Sequence, residues 1–221
     1  MRKMTLKERY DGVIAWFSEN MPSPETELHY DTPFHLLLAV ILSAQCTDKR
    51  VNIVTPPLFE AYSDAAALAA ASEEDVFNFI KSVTFPNNKT RHLIRAAKVL
   101  MEEFGGEMPS DIEGLMKLPG VGRKTANVML SVVWDKAAMA VDTHVFRVSN
   151  RIGLTNNSKT PLATEKTLMR HIPGDVVPKA HHWLILHGRY VCKARKPECG
   201  NCGIKGWCRS YANEMKKNSG K

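Results

Sequence analysis

The chain has 221 residues, 44% of them hydrophobic, which is enough for the core of one large domain or two small ones. Its net charge of +7 favours a polyanionic partner such as nucleic acid, although a basic protein without such a partner is the alternative. The longest apolar run, residues 34–42, is too short to cross a bilayer, and residues 1–10 lack the apolar stretch of a secretory signal. We therefore expect a cytoplasmic protein with reduced thiols and no membrane partner.

Helix signals follow one another along the chain, and no alternating run predicts a strand. Thr32 and Pro33 are typical of an N-cap with proline in the first turn, and Ser110 with Glu113 is typical of a capping box. The sequence predicts an all-α fold. Its predicted helices cover residues 33–45, 72–80, 88–104, 110–118, 123–134, 145–152, 164–171 and 181–187, the last ending at Gly188.

A glycine-rich turn, residues 118–122, separates two of these helices. Gly120 and Gly122 permit positive φ and a close backbone approach. The amides at the start of the second helix then point into the turn, which makes it a candidate phosphate site. A plain helix–helix turn is the alternative, but Arg123 and Lys124 favour phosphate.

Lys124 lies in the first turn of that second helix, where the helix dipole disfavours a cation. A neutral amine there could attack a sugar C1′ and form a Schiff base, while simple phosphate contact is the alternative. Asp142 precedes a later helix, where a carboxylate is most often an N-cap. It could instead accept a proton or stabilise a cation if it met Lys124.

Four cysteines near the C-terminus are separated by six, two and five residues: Cys192, Cys199, Cys202 and Cys208. The pattern predicts a metal centre rather than a disulfide pair. Basic residues stand between the first two cysteines, namely Lys193, Arg195 and Lys196, and a second basic group lies on a predicted helix, namely Lys89, Arg91, Arg95 and Lys98. Both groups suit an anionic partner.

Together these features resemble the endonuclease III family of helix-hairpin-helix DNA glycosylases. The resemblance extends from about Pro33 to Cys208. It rests on the cysteine spacing and on the following blocks: Leu42-Ser43-Ala44-Gln45 with Thr47-Asp48, residues 118–127, residues 141–147, and His182-Trp183 followed by Leu186-His187-Gly188-Arg189.

The resemblance implies a monomer with two helical domains. A six-helix barrel domain with the helix-hairpin-helix, residues 26–136, would be inserted in a discontinuous iron–sulfur domain, residues 1–25 plus 137–221, whose tail, residues 213–221, we expect to be disordered. The active site would lie in a cleft between the two domains. The resemblance also implies a [4Fe–4S] cluster on the four cysteines, with zinc as the alternative metal.

The implied activity is that of a bifunctional DNA glycosylase and abasic-site lyase of base excision repair, acting on oxidised pyrimidines in duplex DNA. Lys124 would be the nucleophile and Asp142 the essential carboxylate. The implied DNA contacts are Gln45, which fills the gap left by the flipped base, Gly120 and Gly122, and the loop residues Lys193, Arg195 and Lys196. A non-catalytic iron–sulfur module that senses damage is the alternative, and a redox or metal-carrying protein is a third possibility.

One loop departs from the family pattern. Thr84, Phe85 and Pro86 stand where typical relatives have Gly-Leu-Tyr. Phe85 falls on the position of the leucine that wedges into the DNA beside the lesion, and it could act there by stacking. The alternative is that Phe85 packs in the core. The departure bears on the substrate range more than on the chemistry.

Overall fold

The computed structural model describes residues 4–219. Their regular secondary structure is helical, and no strand occurs among them, which confirms the predicted all-α fold class. The α-helices of the described chain are α1 (Leu6–Asn20), α2 (Pro33–Ser43), α3 (Asp48–Ala61), α4 (Ala65–Ala69), α5 (Glu73–Ile80), α6 (Pro86–Phe104), α7 (Ile112–Lys117), α8 (Arg123–Trp134), α9 (Thr143–Ile152), α10 (Pro161–His171), α11 (Val177–Tyr190) and α12 (Arg209–Ser219).

The described residues divide into two compact units, one formed by residues 26–135 and the other by residues 4–25 with 136–219. The resemblance implies nearly the same division, with the second boundary after residue 136. The first unit is built around α2, in which every residue from Phe34 to Leu42 is buried. A helix that is apolar on all sides belongs in a core, and α2 packs against α3, α6 and α8.

Unit 26–135 holds seven helices, α2 to α8, where the resemblance implies six. The shortest of them is the five-residue α4, whose N-cap Asp64 accepts a hydrogen bond from the Ala67 amide at 2.8 Å. The helix α3 was not predicted, because it contains Pro56 and Pro57 and proline is disfavoured inside a helix. Its buried side chains, among them Val51 and Leu58, stabilise the helix in spite of the two missing amide donors.

The other unit surrounds a core contributed by α1, α9, α10 and α11. Phe17 of α1 stacks on Trp183 of α11 with ring centroids 5.5 Å apart, and the Trp183 indole donates to the Met21 carbonyl at 2.7 Å. Two short 3-10 helices, Cys199–Asn201 and Lys205–Trp207, carry the chain through the cysteine-rich segment before α12.

Three local predictions were wrong. Asp111, not Ser110, is the N-cap of α7, because its carboxylate accepts from the Gly114 amide at 2.8 Å. Gly188 lies inside α11 rather than ending it. The tail is helical as far as Ser219 where disorder was expected, and residues 220–221 lie outside the described part.

No helix within residues 4–219 is both long enough and apolar enough to cross a membrane.

Candidate functional site

The predicted hairpin joins α7 to α8 through residues 118–122, and the Val121 amide donates to the Leu118 carbonyl at 3.0 Å. Gly120 has φ +86°, and a Cβ there would come within 3.0 Å of the His92 Cβ. Gly122 is the N-cap of α8 with φ −94°, so positive φ was predicted correctly only for Gly120. No side chain caps α8, which leaves the start of this helix suited to an anion.

Lys124 is the second residue of α8, and its side chain is exposed. It belongs to unit 26–135 and follows the glycine turn directly. Its amine is therefore accessible at the start of α8, next to the turn.

Asp142 belongs to the other unit and is the N-cap of α9. Its Oδ1 accepts from the Val145 amide at 2.8 Å, and the residue is half-buried. The capping role considered for Asp142 is therefore present. The cap engages one carboxylate oxygen, which is compatible with a second role for the other.

Gln45 and Phe85 lie on two turns of unit 26–135. Both have left-handed backbones, with φ +54° and φ +52°, and both side chains are exposed. Phe85 is 61% exposed, so the alternative that it packs in the core is wrong. Residues held in such left-handed conformations cluster at functional sites.

Lys89 does not belong to the surface group in which the sequence analysis placed it. It is 5% exposed, whereas Arg91, Arg95 and Lys98 are exposed on α6. Its amine donates to the carbonyls of Leu42 and Ala44, each at 2.8 Å. Burial lowers the pKa of Lys89.

The four clustered cysteines line one largely apolar cavity. None of the four forms a disulfide, and all four are half-buried. The cavity is also lined by Ile152, His187, Val191, Pro197, Glu198, Ile204, Lys205 and Tyr211. Burial raises the pKa of Cys202, and the nearby thiols of the other three raise it further. A centre that binds these sulfurs as thiolates must therefore supply compensating positive charge.

Four cysteine sulfurs that line one cavity fit the ligand set of a [4Fe–4S] cluster. Four thiolates also suit a zinc ion.

Two arginines of α9 support the cysteine loop, and the sequence analysis assigned neither of them a role there. Arg147 donates to the carbonyls of Gly188 at 2.8 Å and Cys192 at 3.2 Å. Arg151 donates to the carbonyl of Lys193 at 2.6 Å. Their spacing of four residues, which puts both on one face of a helix, was the available signal.

The basic loop residues Lys193, Arg195 and Lys196 are all exposed. Lys193 forms an ion pair with Glu198, with Nζ 2.6 Å from Oε1. Lys196 has φ +49°. Arg195 and Lys196 are thus exposed basic side chains, whereas Glu198 partly offsets the charge of Lys193.

Two protein-family models match the chain. Residues 38–174 match the model of the HhH-GPD superfamily of base excision DNA repair proteins, and residues 192–208 match the iron–sulfur binding domain of endonuclease III. Endonuclease III of Rickettsia conorii is 49% identical over 91% of this chain and 95% of its own length. Endonuclease III of Escherichia coli is 43% identical over 89% and 92%.

Solved structures give the same result. A trapped covalent endonuclease III–DNA intermediate has a TM-score of 0.89 at 42% identity and covers 96% of this chain and 100% of that chain. A non-covalent endonuclease III–DNA complex has a TM-score of 0.90 at 41% identity, with the same coverage.

The fold and the matched regions define a base excision DNA repair protein of the helix-hairpin-helix class. Within that class, the chain belongs to the endonuclease III family. It is accordingly a DNA-binding glycosylase and abasic-site lyase with a [4Fe–4S] cluster, as the sequence analysis predicted.

Proposed function

We propose that this enzyme removes oxidised, ring-saturated pyrimidines from double-stranded DNA and then nicks the strand, with Lys124 as the nucleophile and Asp142 as its carboxylate partner. The main support is the exposed amine of Lys124 in the first turn of α8, next to the Gly120–Gly122 turn. Phosphate held by that turn would bring a nucleotide sugar to the amine. The existence of a trapped covalent intermediate for a relative also favours a covalent route.

The chemistry proceeds on a nucleotide extruded from the duplex. The amine of Lys124, once it has given a proton to Asp142, attacks C1′; the bond from C1′ to the base breaks, and the base leaves with a proton from the attacking nitrogen. The bond from C1′ to the ring oxygen O4′ then breaks, O4′ takes the proton back from Asp142, and a protonated Schiff base joins Lys124 to C1′. Loss of a C2′ proton then expels the 3′ phosphate and nicks the strand.

Asp142 acts on the same sugar. As a carboxylate it accepts the proton that the Lys124 amine must lose and stabilises the cationic sugar as the base departs. The α9 cap holds Oδ1 in place at 2.8 Å from the Val145 amide. A carboxylate fixed in this way needs little reorganisation when charge develops.

The remaining predicted residues bind DNA. Gln45 fills the gap that the extruded base leaves, Phe85 wedges into the duplex beside it, and the amides at Gly120 and Gly122 bind phosphate. Lys193, Arg195 and Lys196 contact phosphates further along the duplex. Affinity should fall steeply with salt because phosphate contacts dominate it.

Cys192, Cys199, Cys202 and Cys208 hold the [4Fe–4S] cluster, which acts as a structural crosslink of the loop that carries these basic residues. We further propose a monomeric enzyme in the cytoplasm, associated with the nucleoid if the source is bacterial.

A strand-nicking assay on a duplex with one dihydrouracil tests the proposal. Wild type should release the base and nick the strand, and Lys124→Gln should do neither while still binding an abasic-site analogue. Lys166→Gln, at an exposed position on α10, is the matched control. Tight, salt-sensitive binding without base release by wild type would instead support a non-catalytic damage sensor.

A further inference from the structure

A buried lysine connects the two turns that carry Gln45 and Phe85. We call residues 44–46 the Gln45 turn and residues 84–86 the Phe85 turn. The Lys89 amine donates to the carbonyls of Leu42 and Ala44, each at 2.8 Å, and to the Thr84 hydroxyl at 3.1 Å. An ammonium group has three N–H donors, so these three acceptors use all of them.

Thr84 extends the connection to the tip of the first turn. Its hydroxyl donates to the Gln45 carbonyl at 2.9 Å. Since a hydroxyl has one proton, the bond between Thr84 and Lys89 is donated by the lysine. Two successive carbonyls of the Gln45 turn therefore accept hydrogen bonds: that of Ala44 from Lys89 and that of Gln45 from Thr84.

The backbone of Lys89 completes the link. Its amide donates to the Phe85 carbonyl at 3.2 Å, at the start of α6. Lys89 thus fixes Phe85 through its backbone and the Gln45 turn through its side chain. The ammonium lies at the C-terminal end of α2, where the helix dipole favours a cation.

Both turns are strained and need such support. Gln45 and Phe85 hold left-handed backbones that are unfavourable for residues with a side chain, and both side chains are exposed. Among residues 4–219, five residues other than glycine have positive φ, and two of them are these. The clasp formed by Lys89 and Thr84 joins one to the other.

We propose that Lys89 is a positioning residue for damage recognition, which acts through Thr84 to keep the Gln45 and Phe85 side chains at a fixed separation for entry into the duplex. This inference rests on the function proposed above, in which both side chains enter the DNA. It assigns Lys89 and Thr84 to base extrusion and not to the chemistry at C1′.

Thr84→Val and Thr84→Ser form the sharpest test, because valine removes the hydroxyl at equal size and serine keeps it. Single-turnover base release from a duplex with one dihydrouracil should fall by about tenfold or more in Thr84→Val and recover in Thr84→Ser, because small displacements of positioning groups carry penalties of that size. Nicking of a preformed abasic site in single-stranded DNA needs no base extrusion and should change less than twofold. Lys89→Met should show the same split, with Lys166→Met as its exposed control.

A direct measurement of extrusion separates this inference from the proposed function. In the Lys124→Ala background, 2-aminopurine opposite an abasic-site analogue should brighten at saturating protein, and Thr84→Val should reduce that brightening while Thr84→Ser retains it. Equal loss of both activities together with a lower melting temperature would overturn the inference in favour of a purely structural role, as would unchanged base release and brightening. Absence of base release by wild type would instead contradict the proposed function, while the brightening would still test the clasp.

Discussion

Arg151 Nη1 lies 3.7 Å from the sulfur of Cys192. The same guanidinium donates to the carbonyls of Lys193 at 2.6 Å and Ala194 at 2.9 Å. One side chain of α9 therefore fixes the start of the cysteine loop and places a permanent positive charge beside the sulfur of Cys192, which we propose as a cluster ligand.

Replacing Arg151 with methionine should weaken cluster retention, because it removes the charge and three hydrogen bonds while keeping an apolar stem. Loss of outer contacts of this kind usually weakens metal binding by about 10- to 100-fold. We expect the visible absorption of the cluster to bleach at least several-fold faster in the presence of an iron chelator. Arg170→Met, at an exposed position on α10, is the control, and bleaching of Arg151→Met at the wild-type rate would contradict the prediction.

Substitutions at Asp142 can separate its role as the N-cap of α9 from its proposed role in the reaction. Asn is as good an N-cap as Asp, so Asp142→Asn should keep the stability of wild type while losing the carboxylate. Asp142→Ala should lose both, at about 1 kcal/mol of unfolding free energy. The expected result is a large loss of base release in both variants, with urea unfolding altered only in the alanine variant; an active Asp142→Asn enzyme would restrict Asp142 to the cap.

The two glycines of the hairpin should respond differently to alanine. Gly120→Ala places a side chain at φ +86° within 3.0 Å of the His92 Cβ, so it should lower stability by about 1–2 kcal/mol. Gly122 has φ −94° and open space at its Cβ position, so Gly122→Ala should fold normally. It should nevertheless bind an abasic-site duplex several-fold more weakly, because the methyl group would obstruct the approach of a phosphate. Unfolding curves and fluorescence anisotropy measure the two effects, and unchanged DNA affinity in Gly122→Ala would argue against phosphate binding at that amide.

His182 should make stability depend on pH. Burial lowers the pKa of His182 from 6.5 to about 4 in the folded state. Between these values the unfolded chain binds more protons than the folded one, so stability rises with pH through this window and falls as the pH drops from 7 towards 4. In His182→Gln, the decrease in unfolding free energy from pH 7.5 to 5 should be smaller by on the order of 1–2 kcal/mol. His29→Gln, at an exposed position, is the control, and an unchanged slope in His182→Gln would contradict the prediction.

The sequence was most informative where a short motif dictates local geometry. The LPGVG turn between α7 and α8 and the helix start at Thr32-Pro33 are both present, because turn and cap chemistry act within a few residues. The predicted N-cap, Ser110, is one residue from the observed N-cap, Asp111, because serine and aspartate are both good caps.

Features that depend on distant packing could not be predicted from local sequence. Gly188 was expected to end α11, but its role is close helix packing, since a Cβ there would come within 2.8 Å of the His144 Cβ on α9. Lys89 was grouped with exposed basic residues because sequence spacing does not show that the end of α2 lies over it. The supporting role of Arg151 likewise depends on a contact across 41 residues of chain.

Borohydride trapping would show whether Lys124 forms a covalent bond to the damaged nucleotide. Wild type and Lys124→Ala would be incubated with a duplex carrying one thymine glycol and, separately, one abasic site, in the presence of borohydride. We expect a covalent protein–DNA band in wild type with both substrates and none in Lys124→Ala. A band of equal intensity in Lys124→Ala would show that another amine is the nucleophile, and no band with either substrate in wild type despite tight binding would contradict the lysine mechanism.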